Sequence, residues 1–458
     1  MNSFETFYEW LNGFINFEKK PHHKGFALDG IRYYAALLAH PQTAYKSIHI
    51  AGSKGKGSVA VMLASLLTEA GYKTGLYTSP HVNDFRERIT ESGRFFSKEA
   101  YLQAFRTVHE SVTPHIGKPE APQPSWFELV TLTAFTLFKQ ERLDWAVFET
   151  GMGGRLDATN IIQPEIVILT PIELEHCEYL GDTIPLIAGE KAGIIKKGAP
   201  VFCSSQPEEA LTVFREQAEK NGAPFFSLPD MIQTLEHRLT GQGREVSITF
   251  SAAHPIGKLF TRPISAVLPM FTPVQAENAA LVAAAFRYRY PDAPEELIER
   301  GLAKARLPAR FQILRTTPLT VIDGAHTRNS IRACAGTFFA LAGSENAILV
   351  FACAKDKNPA DFAPFFLGKV SHIYITVPGS FKKGALDTAV RAFTQVFGKN
   401  RDVSIESSED FNAILEKAFA KSSAENRPLL ITGSFYLAAE AQRIYSAGDF
   451  RDRETQDR

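Results

Sequence analysis

Short apolar runs rich in Val, Ile, Leu and Phe recur along the 458-residue chain, each followed by a loop and then a stretch with helical spacing. Runs of this kind predict strands buried on both faces of a parallel sheet, with the helices as crossovers. The clearest are Ser47–Ile50, Thr74–Tyr77, Trp145–Phe148, Ile166–Leu169, Val201–Cys203, Leu319–Ile322, Ala347–Phe351, Ile373–Val377 and Leu429–Ile431. Their alternation with helical stretches predicts an α/β architecture. From Phe225 to Leu268 the texture changes to apolar and polar residues alternating around Gly and Pro, which predicts a small antiparallel patch ending the first sheet. Gln275–Tyr288 and Glu295–Ala305 then have helical spacing, and "ARLPARF" supplies a proline-containing link. We place a domain boundary near Leu307: residues 1–306 as a mainly parallel sheet domain and 307–458 as a smaller Rossmann-like α/β domain. The charged tail "GDFRDRETQDR" is expected to fray.

Composition narrows the partners. A chain of this length exceeds one ordinary core, so two or three domains are expected. Fifty basic residues balance fifty acidic ones, so no global field draws in nucleic acid or an anionic membrane, and recognition must be local. The four cysteines, Cys177, Cys203, Cys334 and Cys353, are scattered without a C-x-x-C pair, which argues against a zinc site or a disulfide framework. The first twenty residues mix acids and aromatics, unlike a signal peptide. No apolar run approaches the ~20 residues of a membrane helix. A cytoplasmic protein is the expectation.

The stretch "HIAGSKGKGSVAVMLASLLTEAG" places three glycines among lysines between a strand candidate and an apolar helix that runs to Gly71. It departs from the common phosphate loop, G-x-x-x-x-G-K-[ST]. Only Ser53 and Lys54 separate Gly52 from Gly55-Lys56, and Gly57 precedes Ser58. Such a strand, loop and helix aims backbone N–H groups and the positive helix end at an anion, with Lys56 near the β/γ-phosphates and Ser58 near Mg²⁺. The plain alternative is a flexible turn with solvated lysines.

A Mg²⁺-nucleotide site also needs a carboxylate at a neighbouring strand end, because a hard cation takes oxygen ligands. "LDWAVFETGMGGRLDATN" offers Glu149 there, although a structural glutamate fits too. The next strand delivers Glu175 and His176, with Lys191 further on; each alone could be structural. Beyond the link, Asp323 ends another strand with His326 three residues later, and Arg310, Asp356 and Lys357 fall at the same end. Spacing alone predicts a Mg-ATP enzyme with a mobile second domain.

Together these stretches resemble the folylpolyglutamate synthase and dihydrofolate synthase family within the Mur ligase superfamily. The loop resembles that family's GTNGKGS. "GLYTSPHVNDFRERI", "GMGGRLDATN", "EYLGDTIPLIAGEKAGIIKKG", "ARF" and "DGAH" are similar to its further signatures, in order. The resemblance implies a P-loop ATPase-type first domain and an ATP-dependent ligase. That ligase would join L-glutamate to dihydropteroate or a reduced folate through an acyl phosphate. It implies ATP contacts from Gly52, Ser53, Lys54, Gly55, Lys56, Gly57, Ser58, Asn278, Arg310 and Asp323, and catalytic roles for Lys56, Lys191, Asp323 and His326. Ser79, Glu149, His176 and a carbamylated Lys191 would hold two Mg²⁺ ions, with a monovalent cation as a further candidate cofactor. Phe127 and Arg155 would face the folate. A monomer is the implied state.

Three departures stand out. Ser53-Lys54 replaces Thr-Asn, Glu175 replaces the common aspartate before the histidine, and "DGAHTRN" lacks the frequent Asn-Pro. They leave open a Mur-type ligase acting on a different carboxylate. A nucleotide-binding regulator without turnover is the other alternative. The folate-type "TSPHVNDFRERI" disfavours the first, and retention of the whole polar set disfavours the second.

Overall fold

The computed structural model describes residues 3–16, 27–344, 346–355, 357–379, 384–398 and 402–448. Asp356, and the tail beyond residue 448, lie outside the described residues. Seven strands form the first sheet: β1 (Lys46–Ala51), β2 (Thr74–Tyr77), β3 (Ile89–Glu91), β4 (Trp145–Glu149), β5 (Ile166–Leu169), β6 (Val201–Cys203) and β7 (Phe225–Ser227). Their order is β3-β2-β4-β1-β5-β6-β7, and every pairing is parallel except β2 with β3. β1 is therefore central, with Ile50 beside Glu149 and Ala51 beside Leu169. That register sets the loop after Ala51 between the ends of β4 and β5, the crevice where open α/β sheets bind ligands.

Both faces of the sheet are covered, which is why its strands read as unbroken apolar runs. On one face Ile48, Ile50 and Val147 pack under the loop helix (Lys56–Glu69) and the alanine-rich helix Val274–Arg289. On the other, Ala146 and Phe148 meet helices Lys98–Val112 and Trp126–Gln140. The loop helix ends at the cap Ala70, and Gly71 follows with φ of +89°, where glycine costs no Cβ clash.

The antiparallel patch differs from expectation in two respects. Phe225–Ser227 joins the main sheet as a parallel edge strand, while β8 (Ile232–Thr240), β9 (Gly243–Phe250) and β10 (Ile264–Leu268) form a separate antiparallel sheet. The half-exposed alternation along β9 belongs to a sheet with one covered face.

The last sheet has six strands where four runs were read: β11 (Gln312–Thr316), β12 (Leu319–Ile322), β13 (Ala347–Phe351), β14 (Val370–Ile375), β15 (Ser404–Ser407) and β16 (Leu429–Thr432), in the order β11-β12-β16-β13-β14-β15. The two strands absent from the reading are its edges. β11 pairs antiparallel to β12 and contains two arginine or glutamine positions, and β15 is largely exposed, so neither shows the buried apolar signature. No helix among the described residues is long and apolar enough to cross a membrane, and the four cysteines are free thiols.

Helix Glu295–Lys304 approaches the loop helix through Gly301, whose carbonyl accepts from the Ser65 hydroxyl at 2.7 Å. A Cβ there would sit 3.0 Å from the Leu66 Cα. Gly301→Val should therefore wedge the two helices apart and lower stability by about 1–3 kcal/mol, read as a fall in urea midpoint at unchanged slope. An unchanged midpoint would show that this close approach is not required.

Candidate active site

The loop after β1 is fixed on one side and open on the other. Gly52 has φ of +153°, and a side chain there would collide with Thr170 at the end of β5. The Ser53 and Lys54 amides both donate to the Pro171 carbonyl, at 2.9 and 3.2 Å, and the Ser53 hydroxyl donates to the Glu173 carbonyl at 3.0 Å. Two of the loop amides thus staple the loop to the segment after β5. Gly55, with φ of +88°, opens the loop helix with no side-chain cap, and Val59 N donates to Gly55 O at 2.9 Å. The turn from Gly55 to Ser58 is left as the anion-binding helix end.

Charge gathers at this loop. The Lys56 and Lys191 ammonium groups each donate to the Gly52 carbonyl at 2.9 Å. Lys191 is 1% exposed and also donates to Glu175 Oε1 at 3.0 Å, while Lys54 Nζ lies 3.6 Å from Glu175 Oε2. Burial pushes the Glu175 carboxyl up, but Lys56, Lys191 and Lys54 outweigh it and hold its pKa near about 2. Burial pulls the Lys191 pKa down to about 8, with Lys56 adding to the shift and Glu175 opposing it. On the other flank Glu149 is buried, which raises its pKa against the pull of Lys56, and it accepts from the Ser79 amide at 3.2 Å. His176 follows Glu175 in the left-handed conformation, φ of +48°. Asn278 lies beneath Gly55, on the buried helix Val274–Arg289, and donates to Gln275 at 3.0 Å.

The second domain meets this cluster through a kinked link. Ala309 and Phe311, flanking Arg310, have φ of +52° and +48°, a pair of strained residues that the surroundings must hold. Asp323 is part of what holds them. One carboxylate oxygen accepts from Phe311 N at 2.6 Å and the other from Ala325 N at 2.7 Å, and Gly324 N donates to Ala309 O at 2.9 Å. Both Asp323 oxygens therefore serve the chain's own backbone, and Asp323 presents Arg310, whose guanidinium lies 4.9 Å over the Phe435 ring. His326 Nδ1 donates to the Gly324 carbonyl at 2.8 Å, because that oxygen can only accept, which leaves Nε2 as the lone-pair nitrogen. Burial, reinforced by Lys54, pulls its pKa to about 3, so the ring is neutral at ordinary pH.

Between the two domains opens a cleft of ≈ 1710 Å³. Lys54, Phe127, Arg155, Glu175, His176, His326 and Lys357 of the sequence-derived set line it; the remaining site residues do not. Arg155 is paired with Glu190 at 2.8 Å. The reading of single residues missed Arg88, which also lines the cleft, is 1% exposed, lies 4.9 Å over Trp126 and donates to His81 at 2.8 Å. Its signal was present in "NDFRERI", but only the fold brings Trp126 to it. Lys355, Lys357, Tyr436 and Glu440 line the far wall and came from no motif but the strand-end position of Lys357.

Known proteins share this arrangement. Residues 50–285 match the family described as the Mur ligase middle domain, and residues 309–435 match the Mur ligase, glutamate ligase domain. The chain is 30% identical over 442 residues to a dihydrofolate synthase/folylpolyglutamate synthase of Bacillus subtilis (strain 168), covering 95% of this chain and 97% of that one. It is 32% identical over 444 residues to the protein of the same description from Escherichia coli (strain K12), covering 96% and 95%. A solved Mycobacterium tuberculosis folylpolyglutamate synthase complexed with ADP superposes with a TM-score of 0.85 at 26% identity over 98% of each chain. An FPGS complex with AMPPCP and folate gives 0.76 at 26% identity, covering 97% and 100%. The chain belongs to the folylpolyglutamate synthase and dihydrofolate synthase family of Mur ligases.

Proposed function

We propose that this protein is an ATP-dependent ligase that joins the amino group of L-glutamate to a pterin or folate carboxylate. The observation that carries the reading is the placement of an uncapped helix end and its lysine cluster directly behind a two-domain cleft large enough for a pterin. A carboxylate is a poor acyl donor at neutral pH. Transfer of the ATP γ-phosphoryl group to it gives an acyl phosphate and ADP. The glutamate amine attacks the acyl carbon, and inorganic phosphate leaves with the former carboxylate oxygen. Residues 1–306 hold ATP in this scheme and 307–458 bring the glutamate, with one chain supplying both walls.

The roles follow from position. Lys56 and the Gly55–Ser58 turn face the transferring phosphoryl group, where positioned donors act most strongly. Gly52 and Ser53 shape the loop, Asn278 supports Gly55, and Arg310 reaches the nucleotide from the link that Asp323 holds. Neutral His326 accepts a hydrogen bond at Nε2 from the incoming amine. Phe127 and Arg155 contact the pterin or its tail. Glu149 and Ser79 suit Mg²⁺: a buried carboxylate and a hydroxyl at adjacent strand ends, with phosphate oxygens and water completing the shell. When bound, Mg²⁺ neutralises phosphoryl charge. A second ion beside Glu175 and His176 fits only if Lys191 is carbamylated, because its ammonium form is a cation already hydrogen-bonded to that carboxylate.

Three measurements check this reading. With Mg²⁺, ATP and glutamate, ADP release should depend on added dihydropteroate or reduced folate; acceptor-independent ADP release, or none, removes the ligase assignment. Lys56→Ala should fold normally and lower kcat by roughly 100-fold or more, and a near-normal rate in the same coupled assay takes Lys56 out of the phosphoryl site. Carbamylation needs the neutral amine, whose fraction rises as pH passes up through the Lys191 pKa of about 8. After equilibration with ¹³C-bicarbonate, a carbamate resonance should appear, strengthen from pH 7 to 8.5, and vanish in Lys191→Met; its absence from the parent protein denies Lys191 a place in a metal site.

A further inference from the structure

Lys54 behaves unlike the two lysines beside it. Lys56 and Lys191 spend their ammonium groups on the Gly52 carbonyl. The Lys54 ammonium makes no hydrogen bond among the described residues; its one ion pair, to Glu175 Oε2 at 3.6 Å, is too long to be one. Of residues Gly52 to Ser58, only Lys54 lines the cleft, where Glu175, His176 and His326 stand around it. Its backbone cannot swing the side chain toward the nucleotide side without loss, since its amide is fastened to the Pro171 carbonyl at 3.2 Å. Its side chain is 28% exposed, enough to meet a ligand and enough enclosed to matter.

We propose that Lys54 is a specificity-determining cation that binds the reacting carboxylate of the acceptor and holds it against the phosphate loop. This rests on the ligase reading above and adds to it a residue for the acceptor's anionic end. The physical need is plain. A carboxylate must approach a polyphosphate, two anions whose repulsion opposes the encounter, and a cation between them offsets it. An ammonium with its three donors unspent on the cleft side of the loop supplies that charge where Lys56, committed to Gly52 and the nucleotide side, does not. Glu175 fits the same scheme. It also contacts Lys191, so a carboxylate arriving at Lys54 leaves Glu175 a remaining partner instead of an unpaired, half-buried charge. Two of the departures seen in the sequence, Lys54 and Glu175, are thus two ends of one contact.

The test compares binding of two ligands in the presence of Mg²⁺ and a non-hydrolysable ATP analogue: the acceptor that the parent protein turns over, and the same molecule with its reacting carboxylate converted to a carboxamide. The parent protein should prefer the carboxylate by roughly 10- to 100-fold, the range of one charge-assisted hydrogen bond. Lys54→Met should lose that preference by weakening the carboxylate alone, and Lys54→Arg should restore most of it. In steady state Lys54→Met should raise the acceptor KM far more than the ATP KM. Equal weakening of both ligands, or an unchanged preference in Lys54→Met, would overturn the assignment, as would a parent protein that does not prefer the carboxylate. These outcomes leave acceptor-dependent ADP release by the parent protein untouched, so loss of that release would instead mark failure of the ligase reading itself.

Discussion

One carbonyl oxygen organises the site: Gly52 O, which accepts from both Lys56 and Lys191. Two ammonium groups on one acceptor, with Lys54 close by, make a density of positive charge flanked by two carboxylates, the half-buried Glu175 and the buried Glu149. A cluster of this sign at the open end of a helix is built for an anion carrying several charges. Several features of the first domain keep that carbonyl in place. The central position of β1, the absence of a Cβ at Gly52 against Thr170, and the hydrogen bonds from Ser53 and Lys54 to Pro171 all fix the same few atoms.

The second domain is tied to this point by an equally local device. The left-handed pair Ala309 and Phe311 would relax without the two Asp323 hydrogen bonds and the Gly324 amide that lock them. Arg310 stands between these two residues, and His326 lines the cleft with its Nδ1 held by Gly324 O. A residue that the motif presented as a nucleotide contact thus also acts through the backbone, and the same aspartate ends a buried strand for the reason Glu149 does. Both sheets place an acid at the C-terminal end of a parallel strand, Glu149 after β4's apolar run and Asp323 just past β12.

Much of this was legible in the chain. The nine apolar runs became strands because both faces of a parallel sheet exclude water, so composition and length alone announce them. Edge strands such as Ser404–Ser407 carry no such pressure and gave no signal. Glu149, Glu175, His176, Asp323 and His326 could be singled out because strand ends are readable in the sequence. Arg88 escaped because its environment, Trp126 and His81, comes from a helix and a loop far apart in sequence. Side-chain direction escaped as well: nothing in "GSKGKGS" says that Lys54 turns to the cleft while Lys56 turns to Gly52. Neither could the sequence divide the loop amides into those that staple and those left open, since Pro171 lies over a hundred positions away.

In the proposed reaction the loop and the cleft bring a carboxylate to the ATP γ-phosphorus, so that an oxygen of the acceptor passes to phosphate. Mass spectrometry of the inorganic phosphate formed from an acceptor carrying ¹⁸O in its reacting carboxylate tests this directly. One labelled oxygen is expected in the phosphate released at each turnover, in step with amide formation. Phosphate free of label, with amide formed, would contradict it.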